Sequence, residues 1–312
     1  MQEELNLVDG VTRANLSHLA NDMGERVELA VLELKDIADR VISTVRPLYL
    51  EGLGAYDLLS YVSDGLSISF DTEASANAMF ADLVCNHTAV NGALYLGVLS
   101  NLIARGLSDM GLGEEDFLPR YTGKNSFTYV KNIFADEAFD VFSADFDNAT
   151  VRYSRDFAEC VKLAYTGEVS YALLPFEERG GTRLPTVLEL IYRNDLKINA
   201  VTPVFGPDGT QDLKYCAVSR AFSVPELTAG DDRYLEIRIS SSQGLSSLTS
   251  VIELLGHSIY RVNTHSFSSE EVGGSFFSVV IRDEGRSFLS LLTYLTLFIT
   301  DYMPVGIYKN LE

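Results

Sequence analysis

Apolar residues recur at helical spacing near the start of the chain: Leu16, Leu19, Met23, Val27, Ala30, Val31, Leu34, Ala38, Val41 and Ile42. That period predicts one long helix over residues 1 to about 46, stopped by Pro47. Residues 48 to 72 are looser, broken by Gly52, Gly54, Asp64 and Gly65, with SISF at 67–70 as a short strand. Asp71 or Thr72 caps a further helix, and the pattern is mostly helical from Ala74 to Ala104. The glycine-rich, acidic segment GLSDMGLGEEDF, 106 to 117, predicts a domain boundary.

Beyond Phe117 strands and helices alternate. Residues 117–134 read as strand, loop and helix, Phe139 to Phe142 as a short strand, and Tyr153 to Tyr165 as a helix with Gly167 just past its end. Val169 to Leu174 forms an apolar strand whose ladder Pro175 ends. The polar loop FEERGGTR follows, and Pro185 opens a helix running to Ile191. A polar loop at a strand's C-terminal end is where open α/β sheets place ligands. A strand from Ile198 to Val204 leads through the turn FGPDGTQD into the strand-like run DLKYCAVSRAF. The C-terminal part reads β-α-β-β-α-β: strands at 234–240, 259–266, 275–282 and 305–308, helices at 245–255 and 286–300.

Composition narrows the function. The formal charge is −20, from 44 acidic and 24 basic residues. Such a surface repels phosphate backbones and anionic lipid, so no nucleic-acid or membrane partner is expected, and a dianionic ligand needs a local basic clamp. The acidity itself fits solubility or salty surroundings. No apolar run approaches the roughly 18 residues of a membrane span. MQEELNLVDG lacks the basic start and apolar core of a signal peptide, so a cytoplasmic location is expected. Cys85, Cys160 and Cys216 lie far apart and read as buried thiols. His87 has Asn91 rather than a second ligand at i+4 and reads as a surface or satisfied histidine; no metal or cofactor is expected.

The stretch VSYALLPFEERGGTRLPTVLELI, residues 169–191, resembles a segment of prephenate dehydratases, with Tyr171, Ala172, Pro175, Glu177, Val187 and Leu190 matching without a gap. Glu178 stands where the family has asparagine, Arg179 where it has serine or threonine, and Thr182 where it has glycine. Ser126, Phe127 and Thr128 match the opening of the same domain; Ser126 is either a ligand contact or a helix cap. DLKYCAVSRAF is similar to the family's threonine-arginine-phenylalanine strand, with Leu213 at the threonine, Lys214 at the arginine and Arg220 matching. The family inserts a whole second lobe before that strand. Here Phe205–Asp212 is hairpin-sized.

ERVELAVLELK, residues 25–35, resembles the first helix of AroQ-type chorismate mutases; Arg26 matches a carboxylate-gripping arginine, while Ile37 stands where a lysine is expected. The C-terminal pattern resembles the ACT regulatory domain, which binds phenylalanine at a dimer interface. Gln243, Gly244 and Leu245 align with one of its ligand motifs, and Asn263, Thr264, His265 and Ser266 with the other. His265 either donates to a carboxylate when protonated or is a surface residue on a degenerate strand.

The resemblance implies an α/β and α+β multidomain chain in the order of the bifunctional P-proteins. Residues 1–113 form a helical, chorismate mutase-like region. Residues 114–226 form one α/β lobe of a dehydratase domain of the periplasmic-binding-protein-like kind. Residues 227–312 form a ferredoxin-like ACT domain. It implies residual catalytic positions Ser126, Glu177 and Lys214, with Arg26 for mutase chemistry. Thr128, Arg179, Gln243, Gly244, Leu245, Asn263, Thr264 and His265 would meet a ligand, an aromatic amino acid or a prephenate- or chorismate-like acid. The altered positions imply a catalytically degenerate, ligand-sensing or regulatory homodimer in aromatic amino-acid metabolism. The alternative is an active enzyme: a dehydratase converting prephenate to phenylpyruvate, water and CO2, or a chorismate mutase. The apolar, many-faced helix at 286–300 is the expected dimer surface.

Overall fold

A computed structural model describes residues 2–69, 89–118, 125–144, 146, 148–206, 209, 211–222, 232–240, 245–267, 274–299 and 302–309. Its contacts divide the chain into two compact units. The first unit holds residues 1–112, 245–255 and 289–300; the second holds 113–244, 256–288 and 301–312.

The first unit is helical. Helix α1 spans Gln2–Leu50, α2 Ala55–Ser69, α3 Ala89–Asp109, α7 Leu245–Leu254 and α8 Leu289–Phe298. Ala30, Leu34, Ala38, Val41 and Val45 form the buried stripe of α1 at the expected spacing. Pro47 does not stop this helix. Lying three residues from its end, it costs one ladder bond and leaves one short turn to continue, which Glu51 N closes on the Pro47 carbonyl at 3.1 Å. The expected strand at 67–70 falls, as far as Ser69, inside α2, because Leu58, Leu59 and Val62 bury at helical spacing. Helix α8 buries Leu289, Leu291, Leu292, Tyr294, Leu295 and Leu297, and α2 and α3 pack against it. The apolar surplus assigned from sequence to a dimer is thus covered within the unit. At Gly97 of α3 a Cβ would lie 2.8 Å from Leu254 Cδ2, so glycine lets α3 and α7 approach closely.

Among the described residues, the second unit is built on one nine-stranded sheet. Its strands are β1 Ser126–Val130, β2 Thr150–Ser154, β3 Tyr171–Glu178, β4 Lys197–Phe205, β5 Gln211–Ser219, β6 Arg233–Ser240, β7 Ser258–Phe267, β8 Gly274–Arg282 and β9 Met303–Lys309. They run in the order β2-β1-β3-β5-β4-β9-β6-β8-β7. Helices α4 (Ile133–Ser143), α5 (Phe157–Thr166) and α6 (Pro185–Arg193) belong to the same unit. Strand alternation sorts two cores: Tyr171 and Leu173 of β3 face α4, while Ala172, Leu174 and Phe176 face α5 and α6.

Several local expectations change here. Ser126 and Thr128 begin a strand rather than a helix. Phe139 to Phe142 lie in α4, which Asn132 caps by accepting from Ala135 N at 2.9 Å. Tyr153 belongs to β2, and the next helix waits for its cap at Asp156. Pro175 does not end its strand; β3 continues across a bulge between Pro175 and Glu177. The link after β4 is a hairpin, pairing β4 with β5 antiparallel. The C-terminal elements follow in the order β6-α7-β7-β8-α8-β9, with sheet order β9-β6-β8-β7 and every pair antiparallel. The strand run of the α/β part and the C-terminal strands join where Ile198 of β4 pairs with Gly306 of β9.

Candidate functional site

The β3–β5 register sets Glu177 directly opposite Lys214. Both positions came from the sequence, and the structure brings them together, with Lys214 Nζ 3.8 Å from Glu177 Oε1. The loop after β3 then turns back through Gly180 (φ 94°) and Gly181 (φ 89°), conformations that glycine accepts at little cost. It returns Arg183 to pair with Glu177 as an antiparallel bridge. Arg183 Nε lies 3.3 Å from Glu177 Oε2, and its guanidinium stacks 3.6 Å over the Phe176 ring. From β7, Arg261 Nη1 donates to Glu177 Oε2 at 2.6 Å and to the Gly181 carbonyl at 3.0 Å.

A second carboxylate completes the cluster. Glu236 of β6 is 1 % exposed and lies 3.2 Å from Arg183 Nη2. It accepts from Tyr308 Oη at 2.9 Å, Ser278 Oγ at 2.9 Å and Tyr192 Oη at 3.4 Å. Burial would raise the Glu177 carboxyl, but the Arg261 hydrogen bond and the charges of Arg183, Arg261 and Lys214 outweigh it and hold the group below its ordinary range. Burial pushes the Tyr308 and Tyr192 phenols well up, so both stay neutral donors. Phe176, Glu177, Arg183, Val201, Lys214, Tyr234, Tyr260 and Tyr308 line a small pocket with room for about one water-sized body.

The other expected residues lie apart from this cluster. Ser126 Oγ accepts from Ser170 N at 3.0 Å, bracing β1 against the start of β3. Thr128 is fully buried, its Oγ1 2.7 Å from Ser154 Oγ. Arg179 is exposed in the loop. Leu245 is the first residue of α7; Gln243 and Gly244 lie outside the described residues, as do His87 and the side chain of Arg26. On β7, Thr264 is exposed, while Asn263 and His265 are half-buried on the face that carries Arg261. His265 packs 5.4 Å from Phe276, and burial lowers its imidazole pKa, which opposes the protonated, carboxylate-binding form.

Sequence reasoning missed Arg183, Glu236, Arg261 and Tyr308. Two of them left a signal. Arg183 sits in the loop singled out above. Glu236 is an acid within a strand buried on both faces, where an unpaired carboxylate would be costly.

No family model matches the chain, and no curated protein matches it. Among solved structures it is similar to the prephenate dehydratase of Streptococcus mutans, at 13% identity and a TM-score of 0.48, over 60% of this chain and 99% of that one. It is similar to GqqA, described as a novel type of quorum quenching acylase, at 15% identity and a TM-score of 0.44, over 60% of this chain and 96% of that one. A third is the prephenate dehydratase of Arthrobacter aurescens, solved in complex with L-Phe, at 12% identity and a TM-score of 0.44, over 59% of this chain and 89% of that one. Likeness at these scores adds nothing to the chemistry of the site.

Proposed function

We propose that this chain is a prephenate dehydratase-like protein that has lost the dehydratase reaction and acts as a ligand-sensing or regulatory dimer in aromatic amino-acid metabolism. The observation that carries this reading is the clamp on Glu177: Arg261, Arg183 and Lys214, all of its own chain, approach at 2.6, 3.3 and 3.8 Å. Dehydration of prephenate needs a proton for the departing hydroxide and cations for two carboxylates. A carboxyl held below its ordinary range donates no proton near neutral pH. Lys214, at the position of the family arginine, lies 3.8 Å from Glu177, and Leu213 at the threonine position has no proton to give. The β4–β5 hairpin stands where the family carries its second lobe.

The βαββαβ order and the antiparallel β9-β6-β8-β7 arrangement support an ACT-like regulatory role for the C-terminal elements. Its effector would be an aromatic amino acid, met by the 243–245 segment and by Asn263, Thr264 and His265. The dimer would pair along β7, the sheet edge where Tyr260 and Val262 are 49% and 40% exposed. Incubation with prephenate is expected to yield no phenylpyruvate; turnover within tenfold of an ordinary enzyme's roughly 10 per second would overturn the loss of activity. Thermal melts with phenylalanine, tyrosine, tryptophan, prephenate and chorismate test the sensing role. A rise with an aromatic amino acid supports it, and no rise with any of the five removes it.

A further inference from the structure

The charges around Arg183 do not balance. Arg183, Lys214 and Arg261 are three cations and Glu177 and Glu236 two carboxylates, so three minus two leaves one positive charge. Tyr192, Tyr308 and His265 are neutral at pH 7 and leave the count unchanged. An uncompensated charge is costly in a low-dielectric interior.

The same cluster holds donors without acceptors. The Arg183 side chain is 7% exposed; among the described residues its Nη1 has no hydrogen-bond partner, and its Nε, though 3.3 Å from Glu177 Oε2, is not aligned to donate there. Lys214 is close to one carboxylate, at 3.8 Å, which is beyond hydrogen-bond length. Both side chains line a small pocket together with Glu177, Phe176, Val201 and three tyrosines.

The geometry points to a binding site for one small monovalent anion, a halide, held between Arg183 and Lys214. One negative charge closes the balance, whereas water would satisfy the donors and leave the charge. A dianion would reverse the imbalance, and a bulky anion exceeds the space. On a protein of net charge −20, such a site is a local exception to a field that repels anions. The site rests on charges and distances alone and would stand even if the chain turned prephenate over.

The test uses the full chain, melted at one fixed ionic strength in sodium chloride, bromide, formate, acetate or gluconate, together with bromide-soaked crystals. The melting temperature is expected to be higher in chloride and bromide than in gluconate, whose anion is too large. Bromide's anomalous signal is expected in the pocket that Arg183 and Lys214 line. Lys214 is partly exposed, so Lys214→Met is expected to fold and to bind halide about tenfold more weakly. Formate and acetate are expected to match gluconate; their matching chloride overturns the restriction to halides. Equal melting in all five salts with no bromide peak overturns the site. So does a halide effect that survives unchanged in Lys214→Met and in Arg183→Met.

Discussion

At the scale of single residues, Glu177 joins three separated parts of the chain. Arg183 comes from its own loop, Lys214 from the opposite strand and Arg261 from β7. Replacing Glu177 with glutamine removes the charge that Arg261 and Arg183 share, leaving Arg261 the Gly181 carbonyl and Arg183 the Glu236 carboxylate. The expected loss is about 3–5 kcal/mol, read as a lower urea midpoint at unchanged slope. The pH dependence has two parts. Because the folded Glu177 carboxyl titrates below its ordinary value of 4.5, its contribution is present above that pH and is lost as pH falls through the folded value. His257 is buried, donates from Nδ1–H to the Asp283 carbonyl at 3.1 Å, and lies against Phe288. Burial depresses it below 6.5, so the unfolded chain takes the proton first and stability begins to fall as pH drops below 6.5. His257→Gln is expected to shrink the decline that begins near 6.5, leaving the part that the buried His265 contributes, and to keep the one that begins near 4.5. Urea midpoints measured across that range check both.

At the scale of elements, the sheet depends on one close approach. Ile198 of β4 pairs with Gly306 of β9, and a Cβ at Gly306 would lie 2.7 Å from both the Ile198 Cβ and its carbonyl oxygen. Gly306→Val therefore pushes two strands apart and is expected to cost about 1–3 kcal/mol, with faster amide exchange in β4 and β9. Gly285 is the control. It has a φ of 75° with open space beside it, so Gly285→Ala strains the backbone alone, at about 1 kcal/mol, and leaves β4 and β9 protected.

At the scale of the whole molecule, the dimer surface expected from sequence is no longer available in its original form. The apolar faces of α8 pack against α2 and α3. One of the two sheet edges is β7, ten residues long, with exposed Tyr260 and Val262. Light scattering at micromolar concentration is expected to give twice 34.4 kDa, and Val262→Lys to return one chain's mass by placing a charge on that edge. A single-chain mass for the unaltered protein would remove the dimer.

Much of this protein was legible in local order. The helix stripe of α1, the Pro185 helix start, Gly167 at a φ of 74°, the 205–212 hairpin and the six C-terminal elements all depend on residues within a turn or two of each other. Short-range periodicity and caps carry that information. Glu177 and Lys214 were legible too, because each lies in a run with a recognisable pattern. Tertiary pairing decided the rest. Arg183 meets Glu236 across 53 residues and Tyr308 across 125, and Arg261 meets Glu177 across 84. Those meetings hang on strand register, where a slip of one residue turns every side chain to the opposite face. Pro175 stays in its ladder and Phe139 stays helical because the packed neighbours, not the local propensities, set the lower free energy.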